Sequence, residues 1–377
     1  MGYVVGLPLD GAANEKDYQV RFGKNMMWQE EVRSPLLPAE WALQSGIQLT
    51  WPHEGTDWAP MLEEVERCFT DIAREVARRE RLLIVHPRPE EIRRRLADAA
   101  LPMDRIRFEA CETNDTWARD HGAITMLDVD GPSLLDFTFN GWGLKFAADK
   151  DNLITRQLVK GGCLKGTYAN RLGFVLEGGS IESDGLGTLL TTSQCLLSPN
   201  RNGQMNQMEI EEYLRRTFHL QRVLWLNHGY LAGDDTDSHV DTLARFCDPE
   251  TIAYVKCSDP DDEHYAELSL MEEELKALRT ADGKPYRLLP LPMPAPIVSE
   301  GERLPATYAN FLILNDAVLY PTYTQPETDA QAADVLREAF PGREITGIDC
   351  RPLIKQHGSL HCVTMQYPEG VFPSRIK

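Results

Sequence analysis

The sequence predicts an α/β fold assembled from about five repeated units, each about 50 to 70 residues long. Three observations indicate this. Amphipathic helical stretches recur, a short β-branched strand follows each of them, and a polar loop with a further strand comes next. An ordinary α/β domain, in which helices and strands merely alternate, would give a similar pattern and remains the alternative.

The predicted elements follow one another in a fixed order. From 61 to 79, apolar side chains recur at the three- and four-residue spacing of a helix with one buried face. Corresponding helices are predicted at 208–218, 268–278 and 330–340, and the strands after the helices at 82–85, 223–226, 286–291 and 345–348. Further strands are predicted within 122–129, 187–197, 251–256, 311–320 and 362–367, and the segment 151–181 is a weaker unit.

The polar residues suited to chemistry occupy the same place in every unit. If the units are arranged about an axis, these residues meet in one central cleft, although they are far apart in sequence. They are Asp120, Glu177, His239 with Asp241, Asn310 and Cys362.

Composition limits the partners of the protein. The 377 residues include 58 acidic and 39 basic side chains, a formal net charge of −19, which disfavours nucleic acid and anionic membranes. A cationic substrate is compatible with this charge, although acidity alone also keeps an enzyme soluble. The first ten residues show no secretory signal, no segment has membrane-spanning length, and the eight cysteines form no C-x-x-C pair. We therefore expect a cytoplasmic protein with reduced thiols.

Cys362 is the candidate nucleophile. It follows a Gly-led turn, Gly358 to His361, and precedes a β-branched strand, so its sulfur could face the cleft as a thiolate. A buried, unreactive thiol is the alternative. The neighbouring His361 could equally be a core residue that points to the opposite face.

The segment from 234 to 241 carries an imidazole among carboxylates. In an extended segment the H-x-D spacing places His239 and Asp241 on one face, where both address one ligand. Two other interpretations stay open for this acidic cluster: a divalent cation site, or a solvated loop that caps a helix at 242–246.

The loop from 114 to 122 concentrates a Trp, an Arg and carboxylates. An aromatic face beside a carboxylate suits a planar organic cation, so Trp117 and Asp120 are candidate binding residues. We expect Arg119 to pair with Asp115 or Asp120 in a structural salt bridge, because a free guanidinium would repel such a cation.

Together these groups favour chemistry on a guanidinium. Asp120 and Asp241 can each accept paired N–H bonds from it and hold its carbon against the sulfur of Cys362. The bound cation also favours the thiolate. The sequence carries no metal-ligand spacing, phosphate-binding glycine loop or G-x-S-x-G elbow, so no cofactor and no metal are predicted.

These residues lie within a set of ordered motifs. The motifs occupy 38–41, 51–53, 114–122, 176–179, 196–202, 234–246, 308–311 and 358–364. With them the sequence resembles the agmatine deiminase and bacterial peptidylarginine-deiminase-like family of the guanidino-group-modifying superfamily, over nearly the whole chain. The chain departs from the glycine-rich stretch usual before the family's nucleophile, because it has Gln356 and His357 ahead of Gly358.

The resemblance implies a function and a role for each residue. Cys362 attacks the guanidinium carbon, His239 transfers protons, and Asp120 and Asp241 hold the guanidinium, giving a covalent amidino-cysteine. Agmatine would yield N-carbamoylputrescine and ammonia without a cofactor. The further substrate-binding candidates implied are Trp117, Glu177 and Asn310.

The resemblance also implies a fivefold pseudo-symmetric α/β propeller, pentein-like, as a single deiminase domain over residues 1–377. A homodimer fits the family, whereas the sequence pattern does not determine the oligomeric state. Two rival functions remain: deimination of free or peptide C-terminal arginine to citrulline, and a metal-dependent hydrolase that uses the cluster from Asp234 to Asp241.

Overall fold

The computed structural model describes residues 35–373 and, before them, the strands Val4–Val5, Asp17–Arg21 and Glu31–Arg33. Motif positions 38–41 and 358–364 therefore both lie within the described part. Among the described residues, no helix is long and apolar enough to cross a membrane.

Four sheets of the described chain share one connection pattern. In each, the first and second strands are antiparallel, and the second and third are parallel. The strands are Ile124–Asp128, Gly131–Thr138 and Thr167–Val175; Ile181–Ser183, Thr188–Thr192 and Arg222–Leu226; Ala244–Asp248, Thr251–Lys256 and Arg287–Pro292; and Leu312–Ile313, Ala317–Thr322 and Glu344–Asp349.

A fifth sheet joins the two ends of the described chain in the same pattern. Thr364–Pro368 pairs antiparallel with Gln44–Thr50, which runs parallel to Arg81–His86. Ile106–Ala110 adds a fourth, parallel strand. A small hairpin, Val298–Ser299 with Glu302–Arg303, lies outside these sheets.

A helix connects the second and third strands of every one of these five sheets, as parallel pairing requires. These helices are Leu62–Arg79, Ile154–Lys160, Gln207–Phe218, Tyr265–Ala277 and Pro326–Ala339. The other helices of the described chain are Pro89–Asp98 and the short Ala118–His121, Ser193–Leu196, Pro199–Asn202 and Arg351–Ile354. Single 3₁₀ turns occur at Ala59–Met61, Met103–Arg105, Asp151–Leu153, Gly178–Ser180 and Val240–Thr242. The segment Gly141–Leu144 forms a left-handed turn.

The helix Leu62–Arg79 shows why the pattern folds this way. Its apolar side chains, Val65, Phe69, Ile72 and Val76, are fully buried, as their spacing predicts. Acidic residues in its first turn and basic residues in its last turn complement the helix dipole. Buried apolar residues form two clusters, and this helix belongs to the larger one.

The prediction of a helix at 242–246 is wrong. The chain instead makes the 3₁₀ turn Val240–Thr242 and the strand Ala244–Asp248, which pairs with Thr251–Lys256. Tertiary contacts decide this, because Arg245 extends from the strand into buried ion pairs with Glu40 and Glu182.

The candidate site residues occupy equivalent places in the five sheets. Each lies in a turn shortly before the first, antiparallel strand of its sheet. In chain order they are Asp120, Glu177, Asp241, Asn310 and Cys362. The repeated connection therefore presents one polar residue per sheet at the same edge.

Candidate active site

Cys362 lies two residues before the strand Thr364–Pro368, at the floor of a pocket. It is 4% exposed, with Sγ 3.3 Å from Nδ2 of Asn310 and 3.8 Å from Oδ2 of Asp241. Oδ1 of Asn310 accepts hydrogen bonds from the backbone N–H groups of His361 at 2.8 Å and Cys362 at 3.3 Å. Asn310 thus fixes the turn that carries the sulfur and also touches the sulfur itself.

Asp120 lies in the short helix Ala118–His121 and lines the same pocket. Its Oδ2 accepts a hydrogen bond from Nε1 of Trp142 at 2.9 Å, and its Oδ1 accepts one from the backbone N–H of Gly179 at 3.0 Å. Nδ1 of His239 lies 3.7 Å from Oδ1. Both hydrogen-bond donors are neutral, so among the described residues the cationic partner of this carboxylate is the imidazole of His239.

His239 is fully buried between Asp120 and Glu177, with Nε2 3.9 Å from Oε2 of Glu177. Neither of its ring nitrogens has a hydrogen-bond partner among the described residues. Burial opposes its charge, but Asp120, Cys195 and Glu177 outweigh burial and raise the pKa of His239 well above its usual value. The imidazole is therefore a protonated donor in the free enzyme.

Glu177 is fully buried and is not among the residues that line the pocket. Nε of Arg201 donates to both of its oxygens, at 3.0 and 2.9 Å. Nη1 and Nη2 of Arg201 also hold the carboxylate of Asp237 at 2.6 Å and the carbonyl of Thr236 at 2.8 Å. Arg201 thereby ties Glu177 to the loop that leads into His239.

Asp241 lies in the 3₁₀ turn Val240–Thr242, fully buried. Its Oδ2 is 2.7 Å from Nδ1 of His361, while its Oδ1 has no protein partner among the described residues. Burial would raise its pKa, but the hydrogen bond and charge of His361 lower the pKa of Asp241 below its usual value. It is an ionised carboxylate with one oxygen unused.

Gly179 marks the point where these groups meet. A Cβ at this position would lie 2.7 Å from Nδ1 of His239, 3.0 Å from Oδ1 of Asp120 and 3.1 Å from Oδ2 of Asp241. Only glycine, which has no side chain, leaves room for these three groups to approach one another at this point.

The thiol is protonated in the absence of a cation. Burial, followed by the charges of Asp241 and Asp120, raises the pKa of Cys362 well above its usual value. A cation bound between the carboxylates and the sulfur removes the second and third of these causes.

The mouth of the pocket is acidic and aromatic. Among the described residues its lining contains no Lys or Arg and is made by Asp57, Asp115, Trp117, Asp120, Trp142, Phe146, Asp235, Thr236, Gln356, His357, Gly358 and Cys362. Trp117 donates Nε1–H to Asp115 at 3.0 Å and packs against Gly358, where a Cβ would lie 2.1 Å from the indole. His357 has a left-handed backbone, φ 67°, the conformation that favours glycine.

Two local expectations are wrong. Arg119 forms no salt bridge with Asp115 or Asp120: its Nε donates to the carbonyl of His361 at 3.4 Å, deep in the protein. His239 and Asp241 do not share a face of an extended segment, because the chain enters a 3₁₀ turn after His239. The turn nevertheless delivers both side chains to the same space.

Two carboxylates of the acidic loop, Asp234 and Asp237, are engaged within the protein. Asp234 accepts from Thr236 and Ser238, and Asp237 pairs with Lys145 and Arg201. Among the described residues, the side chains close enough to share a metal ion are two other groups, Glu177 with Cys195 and His239, and Glu40 with Glu182 and His361.

The roles of several site residues do not follow from any local sequence pattern. Arg201 and Gly179 belong to the motifs at 196–202 and 176–179, but their contacts join segments far apart in the chain. Trp142 lies in the turn Gly141–Leu144, and its bond to Asp120 is equally non-local. His361 was visible beside Cys362, but its carboxylate partners were not.

The comparisons with known proteins agree with this geometry. The family model of the Porphyromonas-type peptidyl-arginine deiminase matches residues 36–368. The agmatine deiminase of Stutzerimonas stutzeri (strain A1501) is 33% identical over 359 residues, covering 88% of this chain and 95% of its own.

Solved structures give the same result. The "putative arginine deiminase" from Porphyromonas gingivalis is 54% identical, covers 90% of this chain and 100% of its own, and superposes with a TM-score of 0.85. The C. jejuni agmatine deiminase with substrate bound is 39% identical, covers 89% and 96%, and has a TM-score of 0.82. The chain therefore belongs to the Porphyromonas-type peptidyl-arginine deiminase family and has the α/β fold of these deiminases.

Proposed function

We propose that the protein hydrolyses agmatine to N-carbamoylputrescine and ammonia through a covalent amidino-cysteine intermediate. One observation carries the proposal: Asp120, Asp241 and His239 converge around Gly179, and the sulfur of Cys362 contacts Asp241. Asp120 and Cys362 also line a pocket of acids and aromatics. A thiol, an imidazolium and two carboxylates suit attack on a planar, positively charged carbon. The two named agmatine deiminases among the relatives support the same substrate.

Binding of the substrate prepares the nucleophile. The guanidinium donates N–H bonds to Asp120 and to the unused Oδ1 of Asp241, which neutralises the charges that keep Cys362 protonated. The thiol then releases its proton to solvent through the pocket, and the thiolate attacks the guanidinium carbon to form a tetrahedral adduct.

His239 supplies the proton that lets ammonia leave. It is protonated in the free enzyme and gives a proton to the departing amine nitrogen, whose C–N bond breaks to leave the amidino-cysteine. The neutral imidazole then takes a proton from water, and the hydroxide adds to the same carbon. The C–S bond breaks, and the hydroxyl proton of the adduct passes to the departing sulfur, which restores the thiol and leaves the neutral product. Glu177, fixed by Arg201, keeps the imidazole between two carboxylates throughout.

The mouth of the pocket favours an amine at the distal end of the substrate. Its lining includes Asp57 and Asp235 and contains no Lys or Arg among the described residues. An arginine carboxylate would be repelled by these acids, and Lys145, which contacts the Asp235 carbonyl, is paired with Asp237. The second ammonium of agmatine is attracted to the same acids.

The same proposal includes the arrangement of the fold. Five sheets with one connection pattern, each carrying a site residue shortly before its first strand, support a pseudo-fivefold α/β propeller in one deiminase domain. The eight cysteines are free thiols, which supports a reducing, cytoplasmic location. A homodimer and the absence of a cofactor or metal stay predictions.

The test is product formation by the purified protein. We expect ammonia and N-carbamoylputrescine from agmatine, and complete loss of ammonia release in Cys362→Ala with the cation still bound, because the pocket carboxylates remain. Normal turnover by Cys362→Ala would remove the mechanism.

Deimination of arginine is the second candidate function, because the family model and the P. gingivalis relative carry arginine deiminase names. Incubation with agmatine, free arginine and a peptide ending in arginine, side by side, separates the candidates. Citrulline as the main product would replace the agmatine proposal. Activity that is lost on chelation and restored by a divalent metal would instead favour the hydrolase built on the loop from Asp234 to Asp241.

A further inference from the structure

His361 is a buried, titratable group that the chemistry above does not use. It directly precedes Cys362 and is 1% exposed. Nδ1 lies 2.7 Å from Oδ2 of Asp241, and Nε2 lies 2.7 Å from Oε2 of Glu40. A chain of carboxylate, imidazole and carboxylate therefore runs from the reacting groups into the interior.

Both ring nitrogens of His361 lie at hydrogen-bond distance from carboxylate oxygens. The charges of His361 and Arg245 outweigh burial and hold the pKa of Glu40 well below its usual range, so Glu40 is ionised like Asp241. An ionised carboxylate only accepts hydrogen bonds, so Nδ1 of His361 is placed to donate to Oδ2 of Asp241. Nη2 of Arg245 lies 3.1 Å from Nε2 and donates to the same Oε2 of Glu40 at 2.6 Å.

This contact determines which oxygen of Asp241 remains available. Nδ1–H of His361 occupies Oδ2, and Oδ1 has no partner among the described residues. Without the donor, rotation about χ2 would exchange the two oxygens, because a terminal carboxylate torsion is broad.

We propose that His361 is a positioning residue, which anchors the carboxylate of Asp241 through Oδ2 and presents Oδ1 to an N–H of the guanidinium. His361 touches no substrate atom and acts through Asp241. The inference rests on the proposed function, since it assumes that Asp241 binds a guanidinium.

Two amide substitutions separate this role from a purely structural one. The amide nitrogen of Asn at 361 occupies the place of Nδ1 and can still donate to Asp241, while that of Gln occupies the place of Nε2 and can still donate to Glu40. The pair is matched in chemistry, since each variant keeps one neutral donor and loses the other contact.

The measurement is calorimetric binding of agmatine in a Cys362→Ala background, which needs no turnover. We expect His361→Asn to bind within about threefold of the parent and His361→Gln to bind roughly tenfold or more weakly, because a lost charge-assisted anchor costs at least that factor. With Cys362 present, kcat/KM for agmatine should fall in the same order. The reverse order, or equal losses in the two variants, would overturn the proposal.

Nuclear magnetic resonance of the unsubstituted protein tests the same point without a mutation. With ¹⁵N-labelled histidine, Nδ1 of His361 should carry a bonded proton, with His361→Asn identifying the signal by its loss. A ring without a proton on Nδ1 would contradict the donor assignment even if both variants failed to fold. Binding of agmatine by the unsubstituted protein without release of ammonia would contradict the proposed function. The comparison of His361→Asn with His361→Gln would then still decide the role of His361, because it measures binding alone.

Discussion

Asp120 and Asp241 are two buried carboxylates in one site, and their surroundings move their pKa values in opposite directions. Burial, with the nearby charges of Asp241 and Glu177, raises the pKa of Asp120, although His239 and the Trp142 hydrogen bond oppose the rise. The pKa of Asp241 is lowered despite the same burial, because His361 contacts it directly at 2.7 Å. The difference lies mainly in the contact with His361, to which Arg245 adds, because His239 lowers the pKa of both carboxylates.

The comparison shows that the two carboxylates contribute differently to binding a cation. Asp241 is charged before the substrate arrives, since its counterion is part of the protein. The charge of Asp120 depends on His239, whose Nδ1 lies 3.7 Å away without a direct hydrogen bond. One side of the site is thus held by a direct hydrogen bond inside the protein, and the other by a longer contact.

The largest effect is expected where the two sides meet, in Gly179→Ala. The added Cβ would lie 2.7 Å from Nδ1 of His239 and within 3.1 Å of both carboxylates, so these groups must separate. We expect kcat/KM to fall roughly 100-fold or more, because a shift of about 1 Å in a reacting group has that effect. Gly173→Ala is the control, since nothing lies within 4 Å of a Cβ there. Equal activity in the two variants would show that the space around Gly179 is not the reaction site.

The stability of Asn variants should reveal which carboxylate has a charged partner. Asp241→Asn leaves His361 with a neutral partner, and we expect it to lower the free energy of unfolding by about 2 kcal/mol. Asp120→Asn removes a charge that burial disfavours, and its change should stay below about 1 kcal/mol. Denaturant unfolding at pH 7 measures both variants. A larger loss in Asp120→Asn would contradict the contrast between the two sides.

The sequence predicted the convergence of these side chains but not their charge states. The convergence follows from repetition, because one polar residue recurs at the same place in every unit, and the α/β fold of the family is confirmed by the comparisons. The partners that set the charges, His361 for Asp241 and Arg201 for Glu177, come from other segments, and no local pattern marks such pairs.

The same limit explains the wrong local predictions. The segment 242–246 was considered a helix capped by the acidic loop, yet it contains a strand, from which Arg245 pairs with Glu40 and Glu182. Arg119 was expected to pair within its own loop, but its nearest acceptor is a carbonyl 242 residues away. Where buried ion pairs decide the local structure, sequence spacing alone is insufficient.

Trp142→Phe should change the pH dependence of catalysis through Asp120 and not through Asp241. The Nε1–H of Trp142 favours the ionised form of Asp120, so removing it raises the pKa of this carboxyl further. Asp120 then needs a higher pH to become charged, and the acid limb of kcat/KM should move up by about 1 pH unit. Trp58→Phe is the control, because its Nε1–H donates to Asp115 instead. An acid limb that does not move in Trp142→Phe would assign that limb to another group.

The smallest effect is expected at the mouth of the pocket, which Asp235 lines. Burial and the charge of Asp234 raise the pKa of Asp235 to about 6, so this carboxyl is neutral below that pH and charged above it. A distal ammonium binds only the charged form, so KM for agmatine should rise a fewfold as the pH falls through about 6.

Butylguanidine is the control substrate, because it binds at the guanidinium site but lacks the amine that contacts Asp235. The ratio of the two KM values therefore isolates Asp235, and we expect it to become independent of pH in Asp235→Asn. A ratio that keeps its pH dependence in that variant would place the amine-binding carboxylate elsewhere in the mouth.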